Sequence, residues 1–126
     1  MLTVSICIAN YKQDQFLPEL IESIKMQDYP NIETVIYHDT QGTGVGNAFN
    51  SAITKSIGDI VVLMCADDMF TDSHVISDIV RAFDFSPNIV HVSRWYHQFI
   101  DGDRHPVRQA AHPVHVIRAE PFFNCR

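Results

Sequence analysis

The spacing of hydrophobic positions changes from segment to segment along this chain. Three short runs are apolar at most positions and rich in Val and Ile, at residues 4–8, 33–37 and 60–64. This pattern is typical of strands that are buried on both faces, as in a parallel sheet. We therefore predict three parallel strands, each of which is followed by polar residues.

Helical spacing occupies the segments between and after these runs. Apolar residues recur at intervals of three and four in residues 16–27, 45–57 and 75–83, which predicts three amphipathic helices. Pro18 suits a first helical turn, and Gly58 is expected to stop the second helix. Thr71 or Asp72 is expected to cap the third helix.

The last third of the chain has a different pattern. Residues 89–93 and the aromatic run 95–100 predict a strand, Asp101 and Gly102 a turn, and residues 114–117 a weaker returning strand. Alternating apolar and polar positions here favour antiparallel pairing. The order β-α-β-α-β-α-β-β predicts a three-layer α/β/α fold whose sheet is mostly parallel and has a C-terminal antiparallel edge.

Composition narrows the class of protein. With 126 residues, of which 46% are hydrophobic, the chain can bury one core, so we predict a single domain over residues 1–126. A net charge of -6 without a basic cluster argues against a nucleic-acid partner. We expect neither a signal peptide nor a membrane span. Three cysteines without metal-type spacing are typical of reduced thiols, and we expect a cytoplasmic protein.

Polar side chains follow each of the three predicted parallel strands. Asn10 and Tyr11 follow the first strand, Asp39 follows the second, and Asp67 and Asp68 follow the third. Open α/β sheets bind ligands at the edge where these strand ends meet. Adjacent carboxylates repel each other, so a cation, a sugar hydroxyl or a helix N-terminus is expected to face them. A simple helix cap is the structural alternative.

These strand ends belong to a longer set of motifs. The set comprises Ile-Ala-Asn-Tyr-Lys at 8–12, Leu-Ile-Glu-Ser-Ile at 20–24, Gln-Asp-Tyr-Pro-Asn-Ile-Glu at 27–33, His-Asp at 38–39, Gly-Val at 44–45, Asn50, Gly58 and Cys-Ala-Asp-Asp at 65–68. Together they resemble the nucleotide-sugar-binding half of family 2 glycosyltransferases, which have the GT-A fold. The resemblance runs from about residue 3 to residue 70, and more loosely to residue 102.

The resemblance implies a function and a set of contacts. Asn10, Tyr11 and Asn50 would line the nucleoside pocket, and Asp39 would contact the base or the ribose. Asp67 and Asp68 would hold a divalent cation, Mn²⁺ or Mg²⁺, on the diphosphate of the donor. Asp67 would also contact the nucleotide-sugar itself. The implied activity is metal-dependent transfer of a hexose from a nucleotide-diphospho-sugar to an acceptor that the sequence does not identify.

The chain also departs from the family pattern. The departures are Ala9 in place of proline, His38 and Cys65 in place of aspartates, and Phe49 in place of arginine. Abstracting a proton from an acceptor hydroxyl requires a carboxylate or an imidazole within hydrogen-bonding reach. Asp101, Asp103 and Glu120 are acids in the second half of the chain, but the sequence assigns none of them as the catalytic base.

Three other interpretations stay open at this point. The spacing Gly42-x-Gly44-x-x-Asn47, with Asp67 after the next strand, has some features of a dinucleotide-binding unit. His112 and His115 could belong to a metal site, although they would point to opposite faces of a strand. An exposed sheet edge would also suit a non-catalytic binding or assembly module that forms a homo-oligomer.

Overall fold

The computed structural model describes residues 1–89 with their side chains and the backbone of residues 91–99 and 106–118. The strands are β1 (Val4–Asn10), β2 (Ile32–His38), β3 (Ile60–Cys65), β4 (His91–Phe99) and β5 (Pro106–Arg118). The helices are α1 (Leu17–Lys25), α2 (Val45–Lys55) and α3 (Val75–Asp84). The first six elements alternate between strand and helix, as predicted.

The first three strands form a parallel sheet with β1 at its centre. β2 and β3 both pair with β1, and Val4 lies opposite Ile32 on one side and Ile60 on the other. Because the strands start in register, their carboxyl ends also lie level, with Asn10 opposite His38 and Ala9 opposite Cys65. The α/β prediction is confirmed in this part of the chain.

The sheet continues beyond β3 in the order β2-β1-β3-β5-β4. The sequence predicts a turn at Asp101 and Gly102 that joins the two strands of the antiparallel edge, and these residues lie outside the described part of the chain. The turn and the C-terminal antiparallel edge that it would form therefore stay predictions.

Side chains alternate between the two faces of the parallel sheet, and each face packs against helices. One face of β1 and β3 packs against α1 and α3 in a single apolar cluster, to which Ile6, Ile8, Val62, Leu20 and Phe83 belong. The opposite face packs against α2 through a second cluster of Cys7, Val61, Ala52 and Ile53. This arrangement has the three predicted layers, α/β/α.

The predicted end of the second helix was wrong by two residues. α2 ends at Lys55, and the amide of Ser56 donates to the carbonyl of Ile53 over 3.1 Å. Gly58 has a different role, because a Cβ atom there would lie 2.3 Å from Ser5 Oγ and 2.9 Å from the Thr3 carbonyl oxygen. The glycine permits a close approach between this loop and β1, which a helix-stop signal does not reveal.

The predicted cap of the third helix was also wrong. α3 begins after His74, which makes no side-chain capping bond. Asp72 accepts instead from the backbone amide of His74 over 2.8 Å, in the turn before the helix. A side chain from outside the helix takes the capping position, since Gln27 Oε1 accepts from the amide of Ile76 over 3.1 Å. Local sequence could not reveal a cap that comes from almost fifty residues upstream.

Candidate functional site

The carboxyl ends of β1, β2 and β3 meet at one edge of the sheet, as the sequence predicts. The pairing continues one residue past the strands, because Asp39 donates its backbone amide to the Asn10 carbonyl over 2.8 Å. On the other side, Ala66 donates to the Ala9 carbonyl over 3.0 Å. These bonds fix where the three following loops leave the sheet.

Asn10 is buried, and its side chain holds the first of these loops. Its Nδ2 lies 2.6 Å from Asp14 Oδ1 and 2.9 Å from His38 Nδ1, and its Oδ1 accepts from the amide of Gln13 over 3.2 Å. The amide is therefore committed to partners within the protein. Asn10 orders the loop after β1 and orients His38, and its predicted place in a nucleoside pocket stays a prediction.

Tyr11 joins the first loop to the second. Its side chain is 46% exposed, and a Cβ atom on Gly42 would lie only 3.0 Å from its hydroxyl oxygen. Gly42 also has a φ of +67°, a conformation that favours glycine. Lys12 Nζ lies 5.1 Å from the centroid of the Tyr11 ring, which is cation-π distance. The ring thus has one side against the second loop and an exposed remainder that a ligand can reach.

Asp39 is 5% exposed, and its carboxylate organises the loop that follows β2. The backbone amide of Thr43 donates to Asp39 Oδ2 over 2.9 Å and to Oδ1 over 3.2 Å. Burial acts to raise the pKa of Asp39, but hydrogen bonds from Thr43, Gln41 and Gly44 outweigh it, and the pKa is lowered. Asp39 is therefore ionised at neutral pH and surrounded by backbone donors.

Residues 65–68 form a tight turn at the end of β3. The amide of Asp68 donates to the Cys65 carbonyl over 3.0 Å, and Asp68 Oδ2 accepts from the Cys65 amide over 2.8 Å. As a result, one ligand atom from each of Cys65, Asp67 and Asp68 lies within 4.8 Å of the others. Both aspartates are exposed residues, so an ion could approach from solvent.

The electrostatics of this turn favour a cation. The pKa of Asp68 is raised, mainly because its carboxylate turns back onto the strand end and is desolvated, with a further contribution from the charge of Asp67. Burial, followed by the charges of Asp68 and Asp67, raises the pKa of the Cys65 thiol to about 11. Cys65 is thus a protonated thiol at neutral pH, while two carboxylates supply the oxygen ligands that Mg²⁺ and Mn²⁺ prefer. The residues present fit a hard divalent cation.

Among the described residues, no hydrogen bond joins the Asn50 side chain to this turn or to Asp39. Asn50 is exposed on α2, two positions from Ala48 and from Ala52, both of which are buried. At 100° per residue it lies on the side of the helix away from the sheet. Its place in the pocket stays a prediction with no contact in support.

Sequence reasoning missed the residues that hold the site together. Asp14 binds Asn10, and Thr43 supplies a backbone amide to Asp39. The four-residue spacing in both pairs, Asn10 to Asp14 and Asp39 to Thr43, is a signal of side-chain bonds within a turn and could have indicated them.

The alternative interpretations gain no support from the described residues. A dinucleotide-binding unit would place Asp67 on the strand beside β2, but β1 separates β2 from β3. The histidines considered for a metal site, His112 and His115, have no described side chains. Asp101, Asp103 and Glu120 lie outside the described residues.

Comparisons with known sequences find glycosyltransferases. The family model described as "Glycosyl transferase family 2" matches residues 34–124. A curated relative, the uncharacterized glycosyltransferase alr2836 of Nostoc sp. (strain PCC 7120), is 27% identical over 135 residues, which cover 87% of this chain and 41% of the relative. The chain therefore spans less than half the length of this relative.

Solved structures share the fold. TarS 1-349 of S. aureus matches with a TM-score of 0.76 and 16% identity, over 98% of this chain and 49% of that one. The mannosyltransferase PcManGT from Pyrobaculum calidifontis, in complex with GDP-Man and Mn²⁺, matches with a TM-score of 0.73 and 17% identity, over 98% of this chain and 46% of that one. These likenesses confirm the predicted GT-A-like fold.

Proposed function

The chain belongs to glycosyl transferase family 2, and from that premise we propose that the carboxyl edge of its parallel sheet binds a nucleotide-diphospho-sugar together with Mn²⁺ or Mg²⁺. We propose further that the protein transfers the sugar to an acceptor. The observation that carries the proposal is the turn after β3, where two exposed carboxylates lie beside each other at the edge where Asp39 also lies.

Asp67 and Asp68 are the proposed cation ligands. Two carboxylates and the oxygens of a diphosphate form the kind of ligand set that Mg²⁺ and Mn²⁺ take in proteins. The bound cation would neutralise the charge on the departing nucleoside diphosphate. Asp68 is oriented for this role by its bond to the Cys65 amide, which leaves its second oxygen available to the cation.

The nucleoside is proposed to bind between the loops after β1 and β2. Tyr11 presents a partly exposed ring on which a base can stack, and Asp39, which precedes the second loop, is an ionised carboxylate that can accept from ribose hydroxyls or a base N–H. Asn10 is proposed to act by holding His38 and the first loop. PcManGT is in complex with GDP-Man and Mn²⁺, and TarS 1-349 has been solved with UDP and with UDP-GlcNAc. These ligands of similar folds support a donor of this class.

No helix in the described part of the chain is long and apolar enough to span a membrane. The expected cytoplasmic location stays a prediction.

Calorimetric titration with UDP, GDP and other nucleoside diphosphates, each with and without Mn²⁺, tests the proposal. We expect one nucleotide to bind in the presence of Mn²⁺, and Asp67→Asn to abolish this binding. Glu22→Gln is the matched control, because it removes the same charge from an exposed site on α1 and should bind as the wild type does. If the wild-type chain binds none of the nucleotides, with or without Mn²⁺, the proposal is contradicted. A stable dimer in a protein that binds none of them would favour the assembly module instead.

A further inference from the structure

The turn that carries Asp67 and Asp68 is followed by a segment that is bonded to the end of α1. Phe70 is buried in the core, and its backbone amide donates to Ser23 Oγ over 3.1 Å. Ser23 is itself buried and donates to the Leu20 carbonyl over 2.7 Å. The hydroxyl therefore bridges the backbone of α1 and the residue that ends the turn.

Gln27 holds the same segment at two further points. Its Nε2 donates to the Asp72 carbonyl over 2.6 Å and to the Ser23 carbonyl over 3.2 Å. Its Oε1 accepts from the amide of Ile76, at the start of α3. One side chain thus joins α1, the loop after the acidic turn and the next helix, and it uses both hydrogens of its amide.

On its other side the acidic turn is anchored to the sheet. Ala66 is fully buried and donates to the Ala9 carbonyl. Only residues 67–69, which we call the acid loop, lie exposed between Ala66 and Phe70. A loop this short has little freedom once both ends are fixed. The position of its carboxylates is therefore set by the sheet at one end and by α1 at the other.

We propose that Ser23 and Gln27 are positioning residues for the divalent-cation site, which they hold by fixing the carboxyl end of the acid loop. The inference rests on the proposed function for its meaning, but the loop restraint can be measured without a metal. A residue that orients ligands without touching the metal can change metal affinity by about 10–100-fold.

The alternative role for Gln27 is simply to cap α3, and Gln27→Glu separates the two roles. A carboxylate still accepts from the Ile76 amide, and its charge suits a helix N-terminus. It has no hydrogen to donate to the carbonyls of Asp72 and Ser23, so the bonds from Gln27 to α1 and to the segment after the acid loop are lost, while Ser23 can still accept from the Phe70 amide. Asn31→Asp is the matched control, because Asn31 Nδ2 also donates to two groups, Thr3 Oγ1 and the Leu2 carbonyl, at the opposite end of the sheet.

Amide hydrogen exchange of residues 66–72 in the metal-free protein gives the first readout. We expect Gln27→Glu to raise exchange there about tenfold or more while α3 stays protected, and Asn31→Asp to leave the segment unchanged. Ser23→Ala should raise exchange at Phe70. Unchanged exchange at residues 66–72 in both Gln27→Glu and Ser23→Ala would overturn the proposal.

Mn²⁺ affinity, measured from the electron spin resonance signal of free Mn²⁺ in the presence of the nucleotide that binds, gives the second readout. We expect Gln27→Glu to weaken binding about tenfold, and Asn31→Asp to bind as the wild type does. Unchanged affinity in Gln27→Glu would overturn a positioning role even if exchange rises. If the wild-type chain binds no Mn²⁺, the proposed function fails, and the exchange experiment still decides whether α1 fixes the acid loop.

Discussion

The two ends of the parallel sheet use their acidic residues in opposite ways. At the amino ends, Glu33 accepts from Ser5 Oγ and from the Ile57 amide, and Asp59 accepts from the Thr3 amide over 2.9 Å. At the carboxyl ends, Asp67 and Asp68 are adjacent exposed residues in a turn, and desolvation of the Asp68 carboxylate, together with the charge of Asp67, raises the pKa of Asp68.

This difference separates acids that stabilise the fold from acids that are suited to a ligand. The amino-end carboxylates are bonded to the loop before β3 and to residues at the start of β1. They therefore stabilise the fold by joining these two segments. In the acidic turn, repulsion between the two carboxylates works against stability, since a protein gains no stability from placing them within ligand distance of each other. Asp39 is intermediate, because it lies at the carboxyl edge but is bonded as the amino-end acids are.

The largest effect on stability is expected from Gly58→Ala at the amino end. The new Cβ would approach Ser5 Oγ to 2.3 Å and the Ser5 backbone nitrogen to 2.8 Å, so β1 or the loop must move. We expect a loss of about 3 kcal/mol in the free energy of unfolding, the upper part of the usual range for overpacking. Urea denaturation measures it, and a loss near zero would show that the amino end is less rigid than its bonds indicate.

Asp68→Asn is expected to produce the opposite result at the carboxyl end. Asparagine can still accept from the Cys65 amide while the repulsion from Asp67 disappears, so the free energy of unfolding at pH 7 should stay the same or rise. Mn²⁺ affinity in the presence of nucleotide should fall at least about tenfold, which corresponds to about 1.4 kcal/mol. Parallel denaturation and Mn²⁺ titration check the two expectations, and a large loss of stability would mean that Asp68 is a structural acid.

Asp39→Asn tests whether Asp39, the intermediate case, stabilises the fold through its ionised carboxylate. The pKa of Asp39 is lowered from its ordinary value of 3.8, so its ionised form stabilises the fold above that pH, and the contribution is lost as pH falls through the lowered pKa. The variant should therefore be less stable than the wild type at pH 7, by less than Gly58→Ala, and the two proteins should converge below about pH 3.8. Denaturation curves across this pH range test the expectation, and a constant difference would contradict it.

The smallest effect on stability is expected from His74→Gln. His74 directly precedes α3 and pairs with Asp28, which follows α1. His74 Nδ1 lies 2.6 Å from Asp28 Oδ2, and this bond raises the pKa of His74 from 6.5 and lowers that of Asp28, with Asp72 and Asp78 adding to the effect on His74. The stabilisation is full between the ordinary values, 3.8 and 6.5, and is lost as pH rises through the raised pKa.

Both side chains of this pair are exposed to solvent, His74 more than Asp28, so the effect should be small. Thermal unfolding of wild type and His74→Gln at pH 5.5 and pH 9 gives the comparison. The variant should be less stable at pH 5.5 and equal at pH 9. A difference that grows toward pH 9 would contradict the assigned pair.

Much of the fold could be predicted because hydrophobic spacing is a local signal. The runs at Val4, Val35 and Val61 and the polar residues after them located the parallel strands and the edge where their loops meet. The errors have a different origin. Gly58 and the cap of α3 depend on contacts with Ser5 and Gln27, which lie more than forty-five residues away and leave no local pattern.

The candidate site was predictable as a set of strand ends but not as a set of contacts. Asp67 and Asp68 follow a strand directly, so their closeness follows from the chain. The sequence did not show that Asn10 would be fully occupied by Asp14 and His38, or that Asn50 would lie on the outer side of α2. Both depend on which atoms each side chain meets after packing, and the residue type does not specify this.

Paramagnetic broadening by Mn²⁺ tests the central contrast most directly. Amide signals of the isotopically labelled protein are recorded while a substoichiometric amount of Mn²⁺ is added with the nucleotide. We expect the signals of Ala66 to Met69 to broaden first and those of Thr43 and Tyr11 to follow, while those of Thr3, Asn31 and Gly58 at the amino end stay sharp. Broadening that begins beside Glu33 and Asp59, or that spares residues 66–69, would contradict it.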